Sequence, residues 1–275
     1  MSATRDAVVF ASDLHLSAAD PDKVELFDAF MARASSTARE VYLLGDVFEI
    51  WLGDDDDSAP HPQILAALRR YTESGGGLHV MRGNRDFLFS ATFAAATGAN
   101  LLDDWHTLEL CGARTLLTHG DLLCTRDVQY QQFRHYVRNP DNQREFLAHP
   151  LAQRREIAAH TRSGTKASML EKEDVIMDVE QTTVEKFMRE FGASRLIHGH
   201  THRPADHRFT DDVNGRDVVV VACLRVIPVV AQCGEGRGAE QFLRSLKAMS
   251  RTTEHANHGS QRTRQTETNR QQPRR

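Results

Sequence analysis

Carboxylates, imidazoles and one carboxamide recur in this chain beside glycine or two residues apart. They are Asp13 and His15 in DLH, Asp46 in GDVFE, Asn84 in GNRD, His119 in THGD, and His198, His200 and His202 in LIHGHTHRP. Positions two apart in an extended segment share a face, so Asp13 with His15, and His200 with His202, can serve one locus. Gly45 beside Asp46 lets the backbone come close to whatever that carboxylate binds. Together these donors make a borderline-hard set, suited to Mn2+ or Fe2+, possible for Zn2+, and poor for Cu(I) because no thiolate takes part. Without His198 they number seven, too many for one tetrahedral ion, but two ions about 3.5–4 Å apart and bridged by a carboxylate would use all seven. Each piece alone is ordinary, since a GD or GN dipeptide is usually a turn. Their order and placement are what is specific.

That placement follows short apolar runs: AVVFAS (7–12), EVYLLG (40–45), LHVMRG (78–83), RTLLTHG (114–120) and RLIHG (195–199). Their length and their Val, Leu and Ile content predict buried strands, with helical patterns between them at 22–36 and 60–74. The alternation predicts a layered α/β domain, and ligands of an open α/β sheet bind beyond the carboxyl ends of its strands. From about 125 to 190 the pattern becomes helical, which is expected to be an insertion lying over the site, with Phe133, Val137, Phe146, Leu147, Leu151 and Ile157 in its core. The domain is expected to span 1–246, and the polar segment 247–275 to be a disordered tail.

Bulk composition narrows the classes. With 275 residues, 40% of them hydrophobic, the chain can bury a sizeable core. Its net charge of −4 gives no overall field for nucleic acid, and no run approaches the roughly 20 apolar residues of a spanning helix. The N-terminus meets an aspartate too early for a secretory signal, so the expected location is the cytoplasm. Cys111, Cys124, Cys223 and Cys233 lack CxxC spacing and are expected to be reduced and mostly buried, outside any zinc knuckle or disulfide framework.

The series D-x-H, G-D, G-N, H-G, G-H-x-H resembles the calcineurin-like metallophosphoesterase superfamily. Over roughly residues 7 to 210, the longer motifs GDVFEIWLGDDD, GNRDFL, THGDLLCTRDVQYQQFR, IMDV and LIHGHTHRP resemble, within it, the UDP-2,3-diacylglucosamine diphosphatases of lipid A biosynthesis. The resemblance implies an αββα sandwich with an inserted helical lid and two Mn2+ ions. One ion would fall to Asp13, His15, Asp46 and His202, the other to Asp46, Asn84, His119 and His200. His198 would hold neither. Asp46, Asn84, Arg85 and His119 would be catalytic, and Asn84, Arg85, Asp127, Thr165, Met169, Lys172 and His200 would contact substrate.

The implied reaction is attack of a metal-activated water on the α-phosphorus of UDP-2,3-diacylglucosamine, releasing UMP. Arg85 stands where many phosphoesterases have histidine; a fixed cation suits a diphosphate, whose phosphate leaving group needs no proton. The inserted helices would hold the acyl chains, and with Arg134, Arg138, Arg154 and Arg155 rest on an anionic membrane, peripheral to the cytoplasmic face of the inner membrane. No protein partner is inferable. Beyond the resemblance, RDVVVVACLRVIPVVAQCGEG keeps apolar strands but lacks the family's Val-Leu-Gly-x-Trp motif. Two alternatives stay open: a hydrolase of soluble nucleotide diphosphate sugars, and a non-catalytic module on the same fold.

Overall fold

A computed structural model describes residues 5–170, 178–202, 205–210, 217–222 and 229–231. The 247–275 tail lies outside these. The expected strands form β1 (Ala7–Ala11), β2 (Ala38–Leu44), β3 (Gly77–Met81), β6 (Ala113–Thr118) and β7 (Arg195–His198). Between them run α1 (Pro21–Thr37) and α2 (His61–Glu73). Helix α1 starts where Asp20 accepts a hydrogen bond from the Lys23 amide, with Pro21 preset in its first turn. Short elements complete the set: α3 (Ala91–Thr97), β4 (Asn100–Leu102), β5 (His106–Leu110), β8 (Ala205–Thr210), β9 (Asp217–Ala222) and β10 (Val229–Ala231). The apolar strands read beyond the resemblance are therefore β9 and β10.

The strands make two five-stranded sheets, in the orders β10-β1-β2-β3-β4 and β5-β6-β7-β9-β8. Pairings β1–β2, β2–β3, β3–β4, β6–β7 and β7–β9 are parallel, with antiparallel strands at the margins. Strand alternation builds the layers. Ala7, Val9 and Ala11, with Val41, Leu43, Leu78 and Val80, pack under Phe27, Phe30 and Met31 of α1, Ile64, Leu68 and Tyr71 of α2, and Phe93 of α3. Val8, Phe10, Tyr42, Leu44 and Met81 face the other way, onto Leu110, Leu117 and Ile197 of the second sheet. Both faces of each central strand are covered, which is why the runs are continuously apolar.

Four further helices follow: α4 (Val128–Arg138), α5 (Pro140–Ala148), α6 (Leu151–Leu170) and α7 (Gln181–Glu190). Although it falls within the segment expected to be an insertion, α7 buries Val184 and Met188 against Leu116, Leu196 and Val220 and supplies the outer layer on the second sheet. The architecture is the αββα sandwich that the resemblance implied. Helices α4 and α5 bury no residue fully, and Phe133, Leu147 and Ile157 are exposed, so these positions are not the core of the insertion. Phe146 alone of the expected set packs, half-buried, against the first core.

Cys124 is a buried free thiol as expected. Cys111, in the β5–β6 turn, is disulfide-bonded to a partner outside the described residues, a correction to the reduced reading.

Candidate metal centre

Every donor singled out in the sequence follows a strand. Asp13 and His15 come after β1, Asp46 after β2, Asn84 after β3, His119 after β6, and His200 and His202 after β7. The two sheets therefore deliver their carboxyl ends to one crevice. Asp13, His15, Asp46, His200 and His202 all hold positive φ, between 49° and 72°. For such residues this left-handed backbone is uncommon and costs about 1–3 kcal/mol each, so the neighbouring structure must impose it. Backbone bonds do so at DLH, where the Asp13 amide donates to the Gly45 carbonyl at 3.1 Å and the His15 amide to the Asp46 carbonyl at 2.9 Å.

The ligand atoms of Asp13, His15 and His202 lie within 4.8 Å of one another, as do those of Asp13, Asp46 and His119. Both groups could hold a divalent ion. Asp46 turns its two oxygens to different neighbours: Oδ2 lies 3.9 Å from His15 Nε2, and Oδ1 lies 3.8 Å from His119 Nε2. Asn84 Oδ1 sits 3.1 Å from His119 Nε2 and 3.0 Å from His200 Nδ1. His15 Nε2 and His202 Nε2 approach to 3.1 Å, and His202 Nε2 is 3.4 Å from Asp13 Oδ1. Asp13 Oδ1 is buried with no hydrogen-bond donor, as suits an oxygen meant for a cation. His119 Nδ1 lies 2.8 Å from the Leu44 carbonyl, so Nδ1 carries a proton and Nε2 is the nitrogen turned towards the site. His198 joins neither group. It is buried, with Nδ1 2.8 Å from the Gly199 carbonyl.

The electrostatics are those of opposed charges in a dry place. Burial pushes the Asp46 carboxyl up to about 7, against the pull of His119. For Asp13 burial acts the same way, but His202 and His119 outweigh it and hold the carboxyl below the usual range. His119 is pushed up to about 9 because Asp46, Asp13 and Asp121 overcome the effect of burial. Burial, reinforced by His119, depresses His200 to about 4.

The loops interlock around these groups. A Cβ on Gly45 would stand 2.7 Å from Gly83 and from His119 Nδ1, and one on Gly83 would stand 2.1 Å from Asp46 Oδ1. Glycine is thus required at both loops by close approach. Asp86, in GNRD, was not picked out in the sequence. Its Oδ1 accepts from the amides of Asp46 and Gly83 and its Oδ2 from those of Val47 and Phe48, clipping the Asp46 loop to the Asn84 loop. Glu49 was missed too: its Oε2 is 3.1 Å from His15 Nδ1. Neither acid belongs to a helix or strand period, so only the motifs containing them could have flagged them.

The expected substrate contacts divide. Arg85 donates its amide to Asp46 Oδ1 at 2.8 Å and keeps a buried Nε without a partner, a donor ready for an anion. Asp127 caps α4, accepting from the Tyr130 amide at 3.0 Å. Thr165 and Met169 fall on α6, and Lys172 lies outside the described residues. The arginines expected to face a membrane are each paired within the protein, Arg155 while its side chain stays 49% exposed. Arg154 is 2% exposed and pairs with Asp55, while Arg134 binds Asp121 and Asp104, each at 2.7 Å. Arg138 donates to the Gly83 carbonyl at 3.0 Å, and Arg155 pairs with Asp56 at 3.0 Å.

The sequence model of the calcineurin-like phosphoesterases matches residues 7–204. Proteins named UDP-2,3-diacylglucosamine hydrolase are similar over most of their length. That of Chromohalobacter salexigens is 48% identical over 201 residues, 73% of this chain and 82% of the relative. That of Escherichia coli is 45% identical over 201 residues, 73% and 84%, and that of Haemophilus ducreyi 45% over 198 residues, 72% and 85%. No described helix is long and apolar enough to cross a membrane. With its donors gathered at the strand ends of an αββα sandwich, the chain belongs to the calcineurin-like phosphoesterase family, in which proteins named UDP-2,3-diacylglucosamine hydrolase are 45–48% identical to it.

Proposed function

We propose that this chain hydrolyses the pyrophosphate bond of UDP-2,3-diacylglucosamine, giving UMP and 2,3-diacylglucosamine 1-phosphate, in lipid A biosynthesis. The relatives' shared name supports the substrate. The observation that carries the chemistry is Asp46, whose oxygens face His15 and His119 from two sides, as a bridging carboxylate must. Asp13, His15, Asp46 and His202 would hold one divalent ion, and Asp46, Asn84, His119 and His200 the other, with Mn2+ favoured by the donor chemistry. When bound, such ions would supply charge neutralisation at the phosphates and lower the pKa of a water from about 15.7 towards about 7, making available a nucleophile for the α-phosphorus.

The chain's own groups do the rest. The Leu44 carbonyl fixes the tautomer of His119, and Asn84 Oδ1 stands within reach of the His119 and His200 rings. Arg85 brings a permanent charge and an unpartnered Nε to the phosphates, and the departing phosphate monoester needs no proton. Lys172, Thr165, Met169 and Asp127 would bind the head group. Exposed Val128, Phe133, Tyr136, Leu147 and Ile157 on the inserted helices support acyl-chain contact and peripheral attachment to an anionic inner-membrane surface from the cytoplasm. Because Arg134, Arg138, Arg154 and Arg155 are engaged internally, that attachment would rest on apolar contact more than on these charges.

The test is hydrolysis of UDP-2,3-diacylglucosamine with Mn2+ in H2(18)O. Expected are UMP carrying the label and almost no cleavage of UDP-N-acetylglucosamine. Label in the lipid phosphate would overturn attack at the α-phosphorus, and equal cleavage of the soluble sugar would overturn the lipid specificity.

A further inference from the structure

Glu49 closes the GDVFE segment, and three groups from separate parts of the chain converge on it. His15 Nδ1 stands 3.1 Å from Oε2, a bent contact that falls short of a straight hydrogen bond. Arg162 of α6 reaches Oε1 at 3.0 Å and also donates to the Glu49 carbonyl. Arg85 Nη1 lies 3.8 Å from the same Oε1. The side chain is 36% exposed and tied into the loop by its own backbone, the Glu49 amide donating to the Leu16 carbonyl at 3.0 Å.

A carboxylate on the far nitrogen of a metal-ligating histidine fixes the ring's tautomer and aim, and its loss typically costs about 10–100-fold in metal affinity or activity. Here the same carboxylate also grips the helical insertion. We propose that Glu49 is a positioning residue that couples the insertion to the metal centre, aiming His15 with one oxygen and holding α6 through Arg162 with the other. Displacement of α6 would then be felt at His15, and docking of α6 would steady the ligand. This rests on the reading of His15 as a metal ligand.

The test is a double-mutant cycle in the full chain, read by calorimetric titration of the dialysed protein with Mn2+ without substrate, alongside kcat and KM. Glu49→Gln is expected to weaken Mn2+ binding on the order of 10–100-fold and to lower kcat. Arg162→Gln should produce a smaller loss of Mn2+ affinity, although Arg162 touches no ligand, and that loss should vanish in the Glu49→Gln background. Wild-type affinity in Glu49→Gln, or losses that simply add, would overturn the coupling. If Glu49→Gln does not fold, Arg162→Gln alone decides: weakened Mn2+ binding supports the link and unchanged binding overturns it. A wild-type protein that binds no divalent ion would overturn the metal reading itself, a result distinct from failure of the coupling.

Discussion

His198 and His200 sit two positions apart at the end of β7, yet one turns Nδ1 to the Gly199 carbonyl and the other to Asn84 Oδ1. Accordingly His200→Ala and His202→Ala should each abolish most hydrolysis, while His198→Ala should mainly destabilise, by about 1–3 kcal/mol as expected for truncating a buried, bonded polar group. Urea denaturation beside turnover rates checks this; the idea fails if His198→Ala is as inactive as His200→Ala at equal stability. Asp86 makes the converse case. Its carboxylate satisfies four backbone amides, so Asp86→Ala is expected to destabilise the fold by at least about 1–3 kcal/mol, the cost of one buried amide left unsatisfied. An unfolding midpoint unchanged by that substitution would deny it the clip role. The donors were legible because motif spacing carries them. Asp86 and Glu49 were not, because their partners are backbone amides and side chains whose proximity exists only after the loops fold.

At the scale of elements, the strands and the first two helices were legible to within a few residues because periodicity reports burial on a regular element. The insertion was legible as helix but not in how it docks. Of its apolar residues, which a sequence reading puts in a core, Phe133, Leu147 and Ile157 remain exposed while Phe146 packs half-buried against the first core, and its arginines make further attachments. Arg154 is the most buried of these, forking onto Asp55 and reaching the Leu52 carbonyl. Charge-assisted bonds of this kind contribute about 1.5–3 kcal/mol each, discounted here because Asp55 is 64% exposed. Arg154→Met keeps the aliphatic stem and removes the fork, so α6 should open more often while the sandwich stays folded. Chymotryptic cleavage within 139–162 should accelerate on the order of 10-fold, since cleavage of a locally opened segment follows its population, one decade per about 1.4 kcal/mol. Cleavage at the wild-type rate would mean the insertion is held by something other than this arginine.

Across the whole molecule, the donors are divided between sheets: Asp13, His15, Asp46 and Asn84 hang from the first, His119, His200 and His202 from the second. The alternation of strand and helix predicted layers but gave no sign of a second sheet, because a chain that crosses from β4 to β5 does so through an ordinary short connection. The αββα arrangement was visible only through the resemblance. The consequence of the division is mechanical. An ion held by Asp46, Asn84, His119 and His200 would cross-link the two layers, in addition to the apolar contacts of Phe10, Leu44, Leu117 and Ile197 between them. Binding to the folded state alone stabilises by about 2.7 kcal/mol when free ligand is 100 times its Kd, which for a domain of this size raises Tm by about 5–10 °C. Mn2+ added to dialysed protein should therefore raise Tm by that order and a chelator should reverse it. In His119→Ala, which loses a donor from the second sheet, the rise should shrink together with turnover. A Tm indifferent to Mn2+ and to other divalent ions would show that these donors do not join the sheets through a metal, whatever the turnover measured.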